Sequence, residues 1–157
     1  MNMRRFLSPI QVLLVLCCFS STAAGQLPEK VVIDLGHQSS LSLHRSAGVL
    51  VENTLYLSGQ SGELDDGTFP SSISEEITQS FRNVERVLQA AGMSLQDVIS
   101  CYVFLLDMDH YETLNTIFRE VFPEKPPVRS TMGIGRLPGK ARIVVETIAV
   151  QQGAPRE

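Results

Sequence analysis

Two charged residues fall where a charge is either costly or useful. Glu146 is the only carboxylate in the run IVVETIAV, and burying it there without a partner is expensive. It therefore faces solvent at a sheet edge, pairs with an arginine, or serves a reaction. Arg129 lies in VRSTMGIGRLP. Its planar guanidinium could grip a carboxylate through two parallel charge-assisted hydrogen bonds, or it could be an exposed strand-end arginine. Ser58, ahead of Gly59-Gln60, reads as a turn residue at a strand end, and Asn115, in YETLN, as part of the polar face of a helix.

Other chemistries find less support. His37, His44 and His110 have no short metal-ligand spacing with Cys101 or with one another, so no metal site is expected. Cys101 sits in an apolar run and reads as a small core residue rather than a nucleophile. Gly133-Ile134-Gly135 lacks the strand–loop–helix setting of a phosphate cradle. A formal charge of -4 opposes a sequence-independent grip on nucleic acid, which depends on clustered Lys and Arg.

The N-terminus carries Arg4 and Arg5, an apolar run from Phe6 to Phe19, and then the small residues 20–25. That order predicts a secretory leader over 1–25, cleaved after Ala24 or Gly25. The apolar run is too short for the roughly 20 residues a membrane-spanning helix needs, so no stable membrane insertion is expected after cleavage. The expected location is secreted or periplasmic. Loss of the leader removes two positive charges and no acid, taking the formal charge from -4 to -6, and leaves Cys101 as the only thiol. No disulfide within the chain is then available.

The remaining 132 residues have the length of one domain, expected over 45–152, after an extension at 26–44 and before a tail at 153–157. RSAGVLVENTLYL reads as a hairpin turning at Glu52-Asn53, and SGQSGELDDGTFP as a loop. Ser72 and Glu75 have the spacing of a capping box. Beyond them Ile77, Phe81, Val84, Val87, Leu88 and Ala91 recur at helical spacing, with Glu76, Arg82, Glu85, Arg86 and Gln89 between them, up to Gly92. Asp97 to Leu106 predicts a central strand buried on both faces. Tyr111 to Val121 predicts a second amphipathic helix, ended at Phe122-Pro123. Val128 to Gly135 and Ala141 to Val150 predict two last strands. The order β-β-α-β-α-β-β makes an α+β two-layer sandwich. Its helices cover one face, and the consecutive apolar residues of its strands call for a second cover, hence self-association through the other face.

The segments LYLSGQ, NVERVLQAAGMSLQDVISCYVFLLDMDHYETLN, VRSTMGIGRLP and IVVETIAV, in this order and spacing, resemble the Rid family of reactive-imine deaminases over roughly residues 45–150. The resemblance implies a chorismate-mutase-like fold. It also implies a homotrimer whose sheets form a central barrel, with clefts at the subunit interfaces. The implied reaction is hydrolysis of 2-imino acids to 2-oxo acids and ammonia, without a cofactor. Arg129 matches the family's carboxylate-binding arginine and Glu146 the glutamate that positions water. Ser58 and Asn115 match positions near the cleft.

Three positions depart from the pattern. Thr131 replaces a frequent cysteine, so any role there falls to a hydroxyl or a backbone group. Arg45 replaces a tyrosine that closes over substrate, which implies a pocket that is wider, more cationic or tuned to a different anion. Ser61 replaces an apolar residue, making the cleft wall more polar. These departures motivate an alternative, a non-catalytic trimer that holds a small carboxylate or another metabolite in the same cleft. Ribonuclease activity, described for some relatives, is opposed by the acidic charge and the expected export.

Overall fold

The computed structural model describes residues 28–36 and 45–151. The expected leader, part of the 26–44 extension with His37 and His44, and the 153–157 tail lie outside the described residues. Strands β1 (Lys30–Ile33), β2 (Gly48–Val51), β3 (Thr54–Leu57) and β4 (Gln60–Ser61) precede helix α1 (Ile73–Ala90). Strand β5 (Val98–Leu105), helix α2 (Tyr111–Val121) and strands β6 (Val128–Gly133) and β7 (Ile143–Val150) complete the order. They make one sheet, β1-β2-β3-β7-β5-β6, with β4 also on β7. Among the described strands only β5 and β6 pair in parallel, because α2 provides the crossover that a parallel pair requires.

The fold is the α+β two-layer arrangement expected, with two additions. Part of the expected extension forms the edge strand β1, and the expected loop after β3 contributes β4. The hairpin turns at Glu52, whose φ of 54° is a left-handed conformation uncommon outside glycine. Gly92, at φ 72°, closes α1 as such glycines do.

The capping box expected at Ser72 and Glu75 is absent, since Ser72 precedes the helix without a side-chain cap. Tertiary contacts anchor that turn instead. Arg142 donates to the carbonyls of Pro70 (2.7 Å) and Ser71 (3.1 Å). A capping box does form at Ser94 and Asp97, ahead of β5.

Leu55, Leu57, Val103, Leu105, Ile143 and Val145 pack from the sheet against Ile77, Phe81, Val84, Leu114 and Phe118 of the helices. Phe81, Phe118 and Phe122 meet at ring separations of 4.8–6.0 Å, within the range favoured for edge and tilted contacts.

The expectation that β5 is buried on both faces does not hold within one chain. Its burial alternates, with Cys101, Val103 and Leu105 inward and Tyr102 exposed. The apolar outward residues belong to an uncovered sheet face. One cross-strand row there runs Val32, Val49, Tyr56, Ile148, Ser100, Val128, of which Tyr56 is 51% and Val128 70% exposed. A second row sets Phe104 beside Val144 and Met132.

Candidate functional site

Residues paired across neighbouring strands share a face of the sheet, so register sorts the candidate residues. Arg129 on β6 pairs with Cys101 on β5, which pairs with Thr147 on β7. Cys101 and Thr147 are both buried, which places Arg129 on the helix side, at the sheet's edge. Its guanidinium carbon lies 4.5 Å from the ring centre of Phe118 and 5.6 Å from that of Tyr111. Nη2 donates to Asn115 Oδ1 at 2.5 Å and reaches the Tyr111 hydroxyl at 3.5 Å. Tyr111, Asn115 and Phe118 follow the i, i+4, i+7 spacing that places them on one stripe of α2, and that stripe is the bed for the arginine. Nε and Nη1 have no acceptor among the described residues. Thr131, two residues along β6, takes the same side, and its Oγ1 is buried with no partner among the described residues.

Glu146 lies on the other face. It pairs with Tyr102, which pairs with Ser130, and it is exposed on the uncovered side of an interior strand rather than at a sheet edge. It has no ion-pair partner among the described residues. Ser58 comes beside it through a β-bulge. Tyr56 pairs with Ile148 and Gln60 with Val145, so three residues, 57–59, oppose two, 146 and 147. A side chain at Gly59 would come within 2.6 Å of Val144, so only glycine lets the bulge lie this close to β7. The Ser58 hydroxyl donates to the Ser46 carbonyl at 2.6 Å, tying the bulge to the exposed Arg45 that precedes β2.

The structure thus sorts the candidates into two sets. Arg129, Asn115 and Thr131 gather on the helix side of the β6 edge. Glu146 lies on the uncovered face, with Ser58 in the bulge that opposes residues 146 and 147 and Arg45 one residue from Ser58's partner. Within one chain the sets do not meet, since β5 separates β6 from β7, about 10 Å apart at the usual strand spacing, and the side chains take opposite faces.

Sequence reasoning missed the one buried ion pair among the described residues. Glu76, expected between the apolar positions of α1, is fully buried. It accepts from the Arg142 backbone N–H at 2.7 Å and from Arg142 Nε. The signal was its place three residues after Ile73 and four before Ser80, on the buried stripe itself. Asn83 was also unmarked. Its amide donates to the carbonyls of Ser61 (2.8 Å) and Glu63 (2.9 Å), holding the segment after the bulge on α1. Cys101 is the core residue expected. Burial pushes its thiol up to about 12, against a smaller opposing pull from Arg129, so the nucleophilic thiolate is scarce at neutral pH.

The family model described as Endoribonuclease L-PSP matches residues 39–151. The chain belongs to the Rid family. The Rid chain is 34% identical over 109 residues to a 2-iminobutanoate/2-iminopropanoate deaminase of Bos taurus, covering 68% of this chain and 79% of that one. A protein of the same description from Dermatophagoides farinae is 35% identical over 107 residues, covering 67% and 84%. Among solved structures, RidA from an Antarctic Psychrobacter superposes with a TM-score of 0.73 at 28% identity, covering 77% of this chain and 99% of that one. TdcF of E. coli, with bound serine, superposes with a TM-score of 0.73 at 26% identity, covering 78% and 99%. Among the described residues of the Rid chain, no cluster of three or more His, Cys, Asp and Glu could hold a metal, and no helix is long and apolar enough to cross a membrane.

Proposed function

We propose that this Rid protein hydrolyses 2-imino acids to 2-oxo acids and ammonia in clefts shared by two copies of the chain. The observation that carries this reading is the posture of Arg129, bedded on Phe118, steadied by Asn115, and left with Nε and Nη1 directed to no acceptor among the described residues. That is a guanidinium ready for a carboxylate. TdcF with bound serine supports it, because serine carries a carboxylate beside a nitrogen-bearing carbon, as an imino acid does.

The separation of the two residue sets supports a composite cleft. In a homotrimer whose uncovered sheet faces line a central barrel, the β6 edge of one copy would bring Arg129, Asn115 and Thr131 against Glu146, Ser58 and Arg45 of the next. The substrate carboxylate would then lie on Arg129, with the Thr131 hydroxyl two residues away. Glu146 would take a proton from water as the oxygen attacks the imine carbon. That proton passes to nitrogen to give the carbinolamine, whose hydroxyl proton is then taken by the carboxylate and handed to the amino group as the C=O bond forms and the C–N bond breaks, releasing a 2-oxo acid and ammonia. Arg45, with its positive charge, would favour anions at the mouth.

The basic, apolar and small segments at the N-terminus support action outside the cytoplasm, on imines released by exported flavin amino-acid oxidases. The test generates 2-iminobutanoate with an amino-acid oxidase and traps survivors with semicarbazide. Acceleration by the purified protein that disappears in Arg129→Ala is expected. A folded protein that binds 2-oxo acids saturably without turnover would favour the non-catalytic carboxylate binder, which the unusual Thr131, Arg45 and Ser61 also suggest.

A further inference from the structure

Arg129 shares its groove with a second arginine to which none of the preceding roles belongs. A cavity of about 610 Å³ between α2 and β6 is floored by Phe118 and Phe122 and walled by Pro127, and both Arg119 and Arg129 reach it. Arg119 follows Asn115, the residue that steadies Arg129, by one helical turn. Side chains so spaced are neighbours on the helix surface, about 5–6 Å apart at Cβ. The Nη2 of Arg119 makes one long contact, with Thr116 Oγ1 at 3.5 Å. Among the described residues neither arginine has an ion-pair partner. The carboxylate held by Asn115, that of Glu112 at 3.3 Å, lies two turns from Arg119, about 10 Å along the helix axis.

In a chain of net negative charge, two arginines that line one groove, neither with an ion-pair partner among the described residues, can form an anion site with two attachment points. We infer that the preferred substrates are dicarboxylic imino acids, of the kind derived from aspartate or glutamate, with Arg129 on the carboxylate beside the imine carbon and Arg119 on the distal one. This rests on the deaminase reading and deepens it by naming the substrate class. The prolines and phenylalanines give the groove rigid, apolar walls, so discrimination falls to the second arginine rather than to side-chain volume. Its exposed position on α2 makes it open to substitution without disturbing the core.

The experiment compares kcat/KM for 2-iminoglutarate and 2-iminobutanoate, each generated by an amino-acid oxidase, in the unaltered protein, Arg119→Gln and Arg119→Lys. The unaltered protein should prefer 2-iminoglutarate. Arg119→Gln should lower that preference about tenfold, the scale of one charge-assisted contact, with 2-iminobutanoate unaffected, and Arg119→Lys should restore part of it. No preference, or a preference that survives Arg119→Gln, overturns the inference. Calorimetry with 2-oxoglutarate and 2-oxobutanoate separates it from the deaminase reading. If neither imine is turned over, tighter binding of 2-oxoglutarate that vanishes in Arg119→Gln sustains the two-point site, and equal binding ends it.

Discussion

Two arginine–glutamate sets sit on the same sheet, one closed between sheet and helix and the other divided between its two faces, and they are finished to different degrees. At the start of β7, Arg142 and Glu76 close on each other. The carboxylate is buried and accepts a side-chain and a backbone N–H, while the guanidinium's remaining donors reach the Pro70 and Ser71 carbonyls. Near the β6 edge and on the uncovered face, Arg129 and Glu146 stay apart. Arg129 has a bed but no carboxylate partner among the described residues, and Glu146 lies exposed among apolar neighbours. Satisfied charges fix geometry, whereas a charge held in place and left unpaired is available to a ligand. On the proposed reading, the first set serves architecture and the second serves chemistry.

The sharpest way to break the comparison is to exchange stability for rate. Glu146→Gln should lower kcat by about 10²–10⁴, the usual worth of general acid–base help, and Arg129→Ala should lower kcat/KM at least about a hundredfold. Neither should move the thermal midpoint by more than about 2 °C, since surface changes rarely exceed half a kcal/mol. A large loss of stability in either variant would place these residues with the architecture.

Arg142→Ala should do the converse. Leaving Glu76 buried without its cation should cost about 3 kcal/mol, toward the lower end of what broken buried pairs lose because Arg142 is partly exposed. Urea unfolding reads the loss, and turnover per folded molecule should stay within about twofold. The double change Glu76→Gln with Arg142→Met should cost less than Arg142→Ala alone, because no uncompensated charge remains.

The smallest effect belongs to Cys101. With its thiol pushed up to about 12 by burial, it should resist iodoacetamide at pH 8 in the native protein and react once the chain is unfolded, where thiols titrate near about 8.5. The sign follows from the raised value. The native state keeps the proton through the range where the unfolded chain loses it, so this residue's contribution to stability falls as pH rises from about 8.5 toward 12. Cys101→Ala should leave kcat/KM within about twofold, and a larger loss would return the thiol to the site.

Both helices were legible because Ile77, Phe81, Val84 and Leu88, and Leu114, Ile117 and Phe118, repeat at helical spacing and bury as that spacing demands. The five strands of the expected order, β2, β3, β5, β6 and β7, were legible as β-rich runs. β4 was not, since Gln60 and Ser61 carry no strand pattern and are held by pairing with β7 and by Asn83. Glu76 misled because a carboxylate on a buried stripe looks solvated until its partner, 66 residues away, is folded against it. The site residues were named through the family motifs. Their division between two faces was hidden, because it depends on which strands lie between β6 and β7 and on the bulge at Ser58-Gly59. Neither is encoded in any short segment.

The central claim, that a working cleft takes Arg129 from one copy and Glu146 from another, is tested most directly by mixing two inactive variants. Arg129→Ala and Glu146→Gln chains, unfolded together and reassembled, should regain about a quarter of the unaltered activity. In a randomly mixed ring with head-to-tail interfaces, that fraction of clefts receives both native residues. Activity no greater than that of the better parent, in a mixture shown to contain hybrid assemblies, would put both residues in one chain's site and contradict the account.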